Sequence, residues 1–256
     1  MIIMINIKSK SEIEKMKDSG KILSEVLMKL EENILPGIST KELDRIASEY
    51  IIKSGASPSF LGVPNYYGGI KFPGAICASL NGEVIHGIPD ERRLKSGDII
   101  SIDAGVYYKG FHSDAARTFP VGNVSAEAAQ LIDVTKQSFF EGLKFVRPNN
   151  RISDISGAIQ DYAESFGYSV VREYTGHGVG RDLHEDPEIP NFRTNRRGHR
   201  LTAGMALAIE PMINQGSAAV RVAANKWTVY TKDGKLSAHY ENTVIVTDDE
   251  PEIVTI

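Results

Sequence analysis

One helical pattern occurs twice in this chain, and the two copies lie 112 residues apart. The matched positions include Pro36 and Pro148, Tyr50 and Tyr162, and Gly55 and Gly167. Each copy includes a preceding amphipathic segment, so the repeat covers roughly residues 11–55 and 123–167. Self-similarity at a fixed offset is typical of chains built from equivalent structural units. The repeat therefore predicts two similar halves, each contributing helices and strands, with a site where they meet.

The helices of the first copy have recognisable starts. Ser11 and Glu14 have the spacing of a capping box, which predicts a helix over residues 11–34. The Pro-Gly pair after this segment would break it, and Ser39 or Thr40 would cap a second helix. Helices of this kind need a partner surface for their apolar faces.

Strand patterns dominate the last third of the chain, at residues 169–174, 206–210, 226–230 and 239–246. No low-complexity segment or change in composition marks a domain boundary. We therefore predict a single catalytic α+β domain over residues 1–256. In it, helices would pack on one side of a curved, mostly antiparallel sheet.

Composition and charge limit the classes of function. The chain is 41% apolar with a formal net charge of -4, which argues against a general DNA-binding protein. A basic run at residues 193–200 is interpreted as a solvated loop rather than an RNA contact. Cys77 is the only cysteine, and no apolar run reaches the roughly 18 residues that cross a membrane. The first residues also lack a signal-peptide pattern, so we expect a cytoplasmic protein without membrane contact.

Two aspartates lie in a predicted hairpin over residues 100–114. Alternating apolar and polar residues predict two strands joined by a tight turn at Lys109-Gly110. Asp103 and Asp114 could then face one another from neighbouring strands. Two buried carboxylates repel each other and would not both stay ionised without a cation between them. An arbitrary pair of aspartates is more often solvated, so this pair alone does not predict a metal site.

Other polar residues lie beside apolar strands. Glycines flank His177 and leave its ring open to a ligand, while Glu210 ends an apolar strand and Glu241 begins one. A lone carboxylate in such a place would be costly to bury. The His177 stretch lacks the Lys-Ser/Thr of a phosphate-binding loop, and no second histidine follows at the spacing of a zincin motif. His86 also follows an apolar strand, where a single histidine is more often a core residue than a catalytic one.

The candidate ligands are Asp103, Asp114, His177, Glu210 and Glu241. Four carboxylates carry more charge than one divalent ion usually requires, but they suit two ions. Oxygen ligands with a single imidazole favour Mn, Fe(II) or Co over a thiolate-type zinc site. Two such ions can hold a hydroxide between them as a nucleophile at neutral pH. We therefore expect a cofactor of two divalent metal ions.

Five motifs carry a family resemblance: Ile102-Asp103, Gly110-Phe-His-Ser-Asp114, Thr175-Gly-His177-Gly-Val-Gly-Arg, Ile209-Glu210-Pro211-Met212 and Tyr240-Glu241-Asn-Thr. In this order they resemble type I methionine aminopeptidases, over essentially the whole chain. The resemblance implies the pita-bread fold, in which two pseudo-symmetric αβ halves surround one dimetal site. The 33-residue spacing from His177 to Glu210 leaves no room for the helical subdomain of type II enzymes. No zinc-finger extension precedes the domain, as in the short bacterial form.

The resemblance also implies a role for each ligand. Asp103 would chelate one metal ion, and Asp114 with Glu241 would bridge both. His177 and Glu210 would complete the second ion. A bridging hydroxide would attack the carbonyl of the N-terminal residue, while the ions hold the free α-amine. Glu210 is the candidate for taking the proton from the water.

Further residues match family positions around the substrate. His86 would contact the scissile amide, and His184 would hydrogen-bond the substrate carbonyl or the tetrahedral oxyanion. His112 is interpreted as lying outside the set of ligands, either behind it or facing solvent.

A pocket for methionine is implied by the same resemblance. The matching positions are Phe72, Cys77 and Trp227, with Phe60 and Leu183 as candidates that plain core packing would explain equally well. The loop from Phe60 to Phe72 is longer than in the usual short bacterial form, which leaves the rim of the pocket undefined. Crowding next to the pocket would admit only a small second residue.

Two alternatives stay open at this point. Aminopeptidase P and prolidases use the same five ligands but normally carry an N-terminal domain, for which this chain has no residues. Some pita-bread proteins have lost the site and only bind partners, whereas this chain keeps the full ligand set. We therefore expect removal of N-terminal methionine from peptides and nascent chains. Such a substrate leaves room for transient contact with ribosomes, and the family suggests a monomer.

Overall fold

The structure is a computed structural model that describes residues 5–65 and 68–256. The signal-peptide prediction depends on residues 1–4, which lie outside the described part. Residues 66 and 67 of the predicted 60–72 loop also lie outside it, whereas the rest of the loop is described. Within that part the helices are α1 (Lys10–Asn33), α2 (Thr40–Lys53), α3 (Ala126–Leu143) and α4 (Ile152–Ser165). None of them is both long enough and apolar enough to cross a bilayer.

The strands of the first half are β1 (Ser57–Pro58), β2 (Ile76–Leu80), β3 (Glu83–Ile85), β4 (Ile99–Tyr108) and β5 (Phe111–Pro120). Those of the second half are β6 (Ser169–Val170), β7 (Gly176–Gly178), β8 (Glu185–Ile189), β9 (Ala206–Ile209), β10 (Met212–Asn214), β11 (Val220–Val222), β12 (Val229–Thr231), β13 (Ser237–His239), β14 (Asn242–Ile245) and β15 (Glu252–Ile253). Every pairing between them is antiparallel.

Helix α1 begins earlier than predicted. Ser9 is the N-cap, and the Glu12 carboxylate accepts a hydrogen bond from the Ser9 backbone N–H at 2.8 Å. The predicted start at Ser11 was therefore wrong, although the three-residue spacing of the capping pair is the same. The backbone N–H of Lys8 donates to the carbonyl of Gly204 at 2.8 Å, which holds the chain in an extended form just before the helix.

Helices α2 and α4 occupy matching positions in the chain. Ser39 caps α2 by accepting a hydrogen bond from the Glu42 backbone N–H. Both helices have 14 residues, and α4 begins 112 residues after α2, since 152 − 40 = 112. A left-handed glycine follows each helix, Gly55 with φ 74° and Gly167 with φ 80°. The equivalence of the two complete halves stays a prediction.

The β4–β5 hairpin is the longest pair of strands and forms as predicted. Its turn at Lys109-Gly110 has φ values of 50° and 85°, which suit the tight type I′ turn that joins twisted strands. Strands β1 and β2 pair with β4. Apolar side chains of α1 and α2 pack with this sheet to form one core, while α3 and α4 pack with the strands of the second half.

The predicted strand over residues 239–246 was wrong, because the chain changes sheet within it. Strand β13 pairs with β10, whereas β14 pairs with β9 in another sheet. The change occurs at Tyr240-Glu241 on one path and at Glu210-Pro211 on the other. The Tyr240 backbone N–H donates to the Pro211 carbonyl at 3.2 Å across this break. Both glutamates are therefore displaced from regular ladders at the same point of the fold.

Candidate metal centre

Asp103 and Asp114 lie on one face of the β4–β5 hairpin. Asp103 pairs with Ala116 and Asp114 pairs with Gly105, so the carboxylates are diagonal neighbours rather than directly opposite. The Asp114 backbone N–H donates to the Thr243 hydroxyl at 2.9 Å, and that hydroxyl donates back to the Asp114 carbonyl at 2.9 Å. These bonds attach the hairpin face to strand β14.

Glu210 and Glu241 come from the break between the two sheets of the second half. The Glu241 backbone N–H donates to the Ala116 carbonyl at 2.9 Å, and the Ala116 N–H donates to the Glu241 carbonyl at 3.3 Å. Glu241 is 2% exposed. The β4–β5 hairpin and the break between β13 and β14 thus meet at this point.

His177 reaches the centre from strand β7, which pairs with β9 at Ala208. A Cβ at Gly176 would come within 2.3 Å of the Ala208 carbonyl, and a Cβ at Gly178 within 2.3 Å of the Asp186 carbonyl. The flanking glycines therefore permit close packing of strands on both sides of the histidine. The Nδ1 atom of His177 lies 2.8 Å from the Gly178 carbonyl, which favours the tautomer that leaves Nε2 free for a metal.

The predicted ligands converge within a few ångström. The Nε2 atom of His177 lies 3.6 Å from Oε1 of Glu210 and 3.8 Å from Oδ2 of Asp114. Donor atoms of Asp114, His177 and Glu241 all lie within 4.8 Å of one another. One carboxylate oxygen each of Asp103, Asp114 and Glu241 is buried without a hydrogen-bond partner among the described residues. Divalent cations would satisfy such oxygens, so the donor set fits the expected ions.

Burial raises the pKa of every carboxyl group in this cluster. The pKa of Asp103 rises to about 7. The pKa of Asp114 rises further above its usual range because burial is reinforced by the neighbouring Asp103 carboxylate, and the pKa values of Glu210 and Glu241 are raised as well. Burial lowers the pKa of His177 to about 3, so its ring is neutral at physiological pH. The cluster needs either protons or cations to balance its charge.

His239 belongs to the same cluster, and the sequence analysis missed it. Its ring is 2% exposed, and Nε2 lies 3.7 Å from Oε2 of Glu210 and 3.9 Å from Oε2 of Glu241. Burial lowers the pKa of His239 to about 4. One signal was present in the sequence: His239 precedes Glu241 by two positions, the spacing that places two side chains on one face of an extended chain.

His86 and His184 lie at the edge of the cluster. The ring of His184 is exposed and lies 4.4 Å from the ring of His177. His86 has a left-handed backbone with φ 57°, and its ring packs edge-on against Tyr174 at 5.9 Å and Trp227 at 6.2 Å. Burial lowers the pKa of His86 to about 4 and also lowers that of His184. Neutral imidazoles at these positions can each donate one hydrogen bond and accept another.

The predicted pocket residues pack into one apolar cluster. It consists of the buried residues Phe60, Phe72 and Cys77 and the partly buried Val63, Ile88, Leu183 and Trp227. The rings of Phe72 and Trp227 meet edge-on at 5.2 Å. Cys77 pairs with Asp103 across the β2–β4 ladder, so the cluster ends against the predicted metal ligands. The role of these side chains in binding substrate stays a prediction.

The 60–72 loop is attached to the segment that carries Trp227. The Trp227 indole N–H donates to the Ile70 carbonyl at 3.0 Å, and the Asn65 amide donates to the Lys226 carbonyl at 2.8 Å. Across its base, the Gly62 N–H donates to the Phe72 carbonyl at 2.9 Å. The described part of this loop is therefore attached to the apolar cluster on the side of Trp227.

His112 does not join the donor cluster. Its Nδ1 atom lies 2.9 Å from the Ser59 hydroxyl, and its ring packs on Tyr107 with 4.6 Å between centroids. His112 is half-buried at this position, and its place outside the ligand set stays a prediction.

Comparison with known proteins adds sequence relationships to this geometry. The sequence profile of metallopeptidase family M24 matches residues 14–248. A methionine aminopeptidase of Clostridium perfringens is 56% identical over 253 residues, which cover 99% of both chains. Methionine aminopeptidase 1 of Bacillus subtilis is 50% identical over 98% of this chain and 99% of its own.

Solved structures show the same relationship. Methionine aminopeptidase from Thermotoga maritima superposes with a TM-score of 0.93 at 42% identity, covering 98% of this chain and 99% of that one. This likeness confirms the predicted α+β fold class. Prolidase from Pyrococcus furiosus matches with a TM-score of 0.79 at 22% identity, over 98% of this chain and 65% of that one, which shows a common fold alone.

Proposed function

Since this chain belongs to metallopeptidase family M24 and is a methionine aminopeptidase, we propose that its carboxylate cluster holds two divalent metal ions beside a pocket for the N-terminal methionine. The observation that carries the proposal is the pairing of Cys77 with Asp103, which joins the apolar cluster to the ligand cluster. If the methionine side chain of a substrate occupied the pocket, the backbone of that same residue would lie within reach of the metal ligands. This arrangement suits cleavage after the first residue only.

The five predicted ligands are assigned as follows. Asp103 would hold one ion, and Asp114 with Glu241 would contribute to both. His177 and Glu210 would complete the set for the second ion. The buried, unpartnered oxygens of the aspartates and Glu241 support this assignment. When bound, the two ions supply a nucleophile derived from water at neutral pH and polarise the substrate carbonyl.

Glu210 is proposed to accept the proton that the attacking water loses. Its two carboxylate oxygens lie near different imidazoles, with Oε1 3.6 Å from His177 and Oε2 3.7 Å from His239. A carboxylate so placed can hold a proton and pass it on to the leaving amine.

His86 is proposed to bind the scissile amide. The neutral ring can donate to or accept from the amide nitrogen as that atom becomes an amine. Two bonds fix the backbone around it: the Thr228 hydroxyl donates to the His86 carbonyl at 3.3 Å, and the Gly87 N–H donates to the Ser79 hydroxyl at 3.0 Å. The ring is therefore held where the pocket cluster and the ligand cluster meet.

His184 is proposed to donate a hydrogen bond to the substrate carbonyl, or to the oxyanion that replaces it. Its exposed ring borders His177 and is accessible to a peptide. A donor aimed at the developing negative charge stabilises the transition state more than the ground state.

We also infer the cellular setting from the reaction. The substrates would be peptides and nascent chains whose free N-terminal methionine precedes a small residue, in the cytoplasm, with transient contact to ribosomes. The basic residues 193–200 give this contact no direct support, because Arg193 forms an ion pair with Asp161 and Arg200 donates to the Asn149 carbonyl at 3.0 Å. A monomer is proposed, and neither DNA nor a membrane is needed for the reaction.

Peptide hydrolysis by metal-depleted protein tests the proposal. Co(II), Mn(II) or Fe(II) is added back in turn, and Met-Gly-Met-Met is compared with Met-Leu-Met, Leu-Gly-Gly and Ala-Pro-Ala. We expect metal-dependent release of methionine from the first peptide alone. The matched control is Asp18→Asn, an exposed aspartate paired with Lys109, which should leave turnover unchanged, whereas Asp103→Asn should abolish it.

The other outcomes separate the alternatives. Cleavage of Ala-Pro-Ala would move the enzyme to the aminopeptidase P branch of the family. Release of methionine from Met-Leu-Met at the same rate would reject the small-second-residue rule. Full activity of Asp103→Asn would remove this residue from the metal assignment.

A further inference from the structure

His239 occupies the centre without any hydrogen-bond partner. Its ring is 2% exposed, and neither Nδ1 nor Nε2 has a partner among residues 5–65 and 68–256. The distances from Nε2 to Glu210 and Glu241, 3.7 and 3.9 Å, exceed the roughly 3.2 Å of an N–H···O bond. A buried imidazole is rarely left in this condition unless it binds something else.

The same distances suit donors that share one metal ion. Two metal–ligand bonds of about 2.1 Å, opened at a tetrahedral or somewhat wider angle, separate the donor atoms by roughly 3.4–3.8 Å. His177, an assigned ligand, shows the same pattern, with Nε2 at 3.6 Å from Glu210 and 3.8 Å from Asp114. Donor atoms of Glu210, His239 and Glu241 form a second group within 4.8 Å, in addition to the group of Asp114, His177 and Glu241.

We propose that His239 is a sixth ligand of the dimetal centre and binds one ion through Nε2. Glu210 lies between the two imidazoles, with one carboxylate oxygen toward His177 and the other toward His239. Glu241 is common to the two donor groups. The inference depends on the proposed dimetal function, to which it adds a second nitrogen donor.

A second imidazole has a consequence for metal preference. Imidazole suits Fe(II), Co(II) and Zn(II), whereas carboxylate and water suit Mn(II). His239 should therefore strengthen binding of Co(II) and Fe(II) more than binding of Mn(II). A His239 that only donated a hydrogen bond to Glu210 would have no such selectivity.

The variant His239→Gln distinguishes a ligand from a positioning residue. The glutamine amide can still donate a hydrogen bond toward Glu210, but it is a poor ligand for Co(II). Dissociation constants for Co(II) and Mn(II) would be measured by calorimetry on metal-free protein. His199→Gln is the matched control, because His199 lies outside both donor groups. Circular dichroism of the metal-free proteins would establish that each variant is folded.

A count of bound imidazoles tests the proposal without any variant. Each imidazole that binds high-spin Co(II) gives one strongly shifted ring N–H signal in proton NMR that disappears in D₂O. We expect two such signals in the wild-type protein, from His177 and His239, and one in His239→Gln. We also expect Co(II) binding in the variant to weaken by more than the roughly 10- to 100-fold that follows loss of a residue behind the ligands, with a smaller change for Mn(II).

A single shifted signal in the Co(II)-loaded wild type would overturn the proposal. Unchanged Co(II) affinity in folded His239→Gln would overturn it equally, and lost turnover in that variant would then identify His239 as a positioning residue for Glu210. These results are independent of peptide cleavage. A wild-type protein that binds Co(II) through two imidazoles but releases no methionine would contradict the proposed function and leave the His239 assignment intact.

Discussion

Cys77 lies directly opposite Asp103 in the register between strands β2 and β4, so a predicted pocket residue and a predicted metal ligand share one pair of neighbouring backbone positions. The thiol is 4% exposed, and burial raises its pKa well above the usual range. Cys77 is therefore an uncharged, space-filling group rather than a nucleophile.

Enlarging this side chain should impair substrate binding without affecting the metal. Cys77→Val adds volume to the pocket beside Asp103, and one methylene-sized change in such a pocket is worth roughly 10-fold or more in kcat/KM. We expect that loss for Met-Gly-Met-Met, with Co(II) affinity unchanged. Steady-state kinetics and calorimetry would measure the two quantities. Cys77→Ala is the control that removes volume, and equal loss in both variants would contradict a steric origin.

The contribution of Asp103 to the stability of the metal-free protein should fall as pH rises between about 4 and 7. Burial raises the pKa of Asp103 from 3.8 in the unfolded chain to about 7, so the folded state binds more protons within this window. Stability from this group is fully present below pH 4 and is lost as pH approaches 7. Urea denaturation of EDTA-treated wild type and Asp103→Asn at several pH values would measure it.

The variant supplies the reference for that experiment, because it lacks the titrating group. Relative to Asp103→Asn, the wild type should lose on the order of 1–3 kcal/mol of unfolding free energy across the window. Parallel curves for the two proteins would contradict the assignment. Saturating Co(II) should reduce the difference, since bound cations keep the carboxylate ionised in the folded state.

Substitution of His86 should slow the reaction while leaving the metals in place. The left-handed backbone at φ 57° is tolerated by asparagine better than by most residues, so His86→Asn is the conservative choice. We expect kcat to fall by roughly 100-fold or more, as for loss of a general acid–base group. Metal content by mass spectrometry should match the wild type. Loss of metal from the folded variant would instead make His86 a ligand.

The buried ion pair between Lys8 and Glu185 should matter for both stability and turnover. Both side chains are at most 5% exposed, and Glu185 also accepts the Arg181 backbone N–H at 2.8 Å, next to His184 in the chain. Lys8→Met would leave a buried carboxylate unpaired, at a cost of about 3–5 kcal/mol in unfolding free energy.

We also expect a lower kcat/KM in Lys8→Met, because the loop that carries His184 loses its attachment. The double variant Lys8→Met, Glu185→Gln should recover most of the stability, since no charge is then left buried. Chemical denaturation and peptide kinetics on the three proteins would measure both effects. A stable single variant with normal turnover would show that the ion pair is dispensable.

Sequence patterns predicted much of this molecule but could not resolve certain details. The hairpin followed from alternation and from Gly110, because few residues other than glycine adopt its turn conformation easily. The start of α1 did not, since Ser9 with Glu12 and Ser11 with Glu14 have equal spacing. Lys8 decides between them through its bond to Gly204, a contact between residues nearly 200 positions apart in the chain.

In the candidate site, too, local sequence patterns predicted some residues and missed one that depends on long-range contacts. The charged residues of the site stood out because each lay against an apolar strand, where burial without a partner would be costly. His239 did not stand out, because a two-residue spacing from a carboxylate is common in strands and does not by itself indicate a shared site. The change of sheet at Tyr240-Glu241 occurs because β13 pairs with β10 and β14 pairs with β9. The local sequence does not predict these pairings.

The candidate metal centre is assembled from β4, β5, β7 and the chain breaks between β9 and β10 and between β13 and β14, and Glu241 is the last of its predicted ligands to be synthesised. A growing chain that has not yet reached β14 lacks this shared carboxylate. The enzyme proposed to process other proteins during their translation therefore cannot complete its own centre until Glu241 has been synthesised. Chains released before this residue would lack a proposed shared ligand and would remain inert.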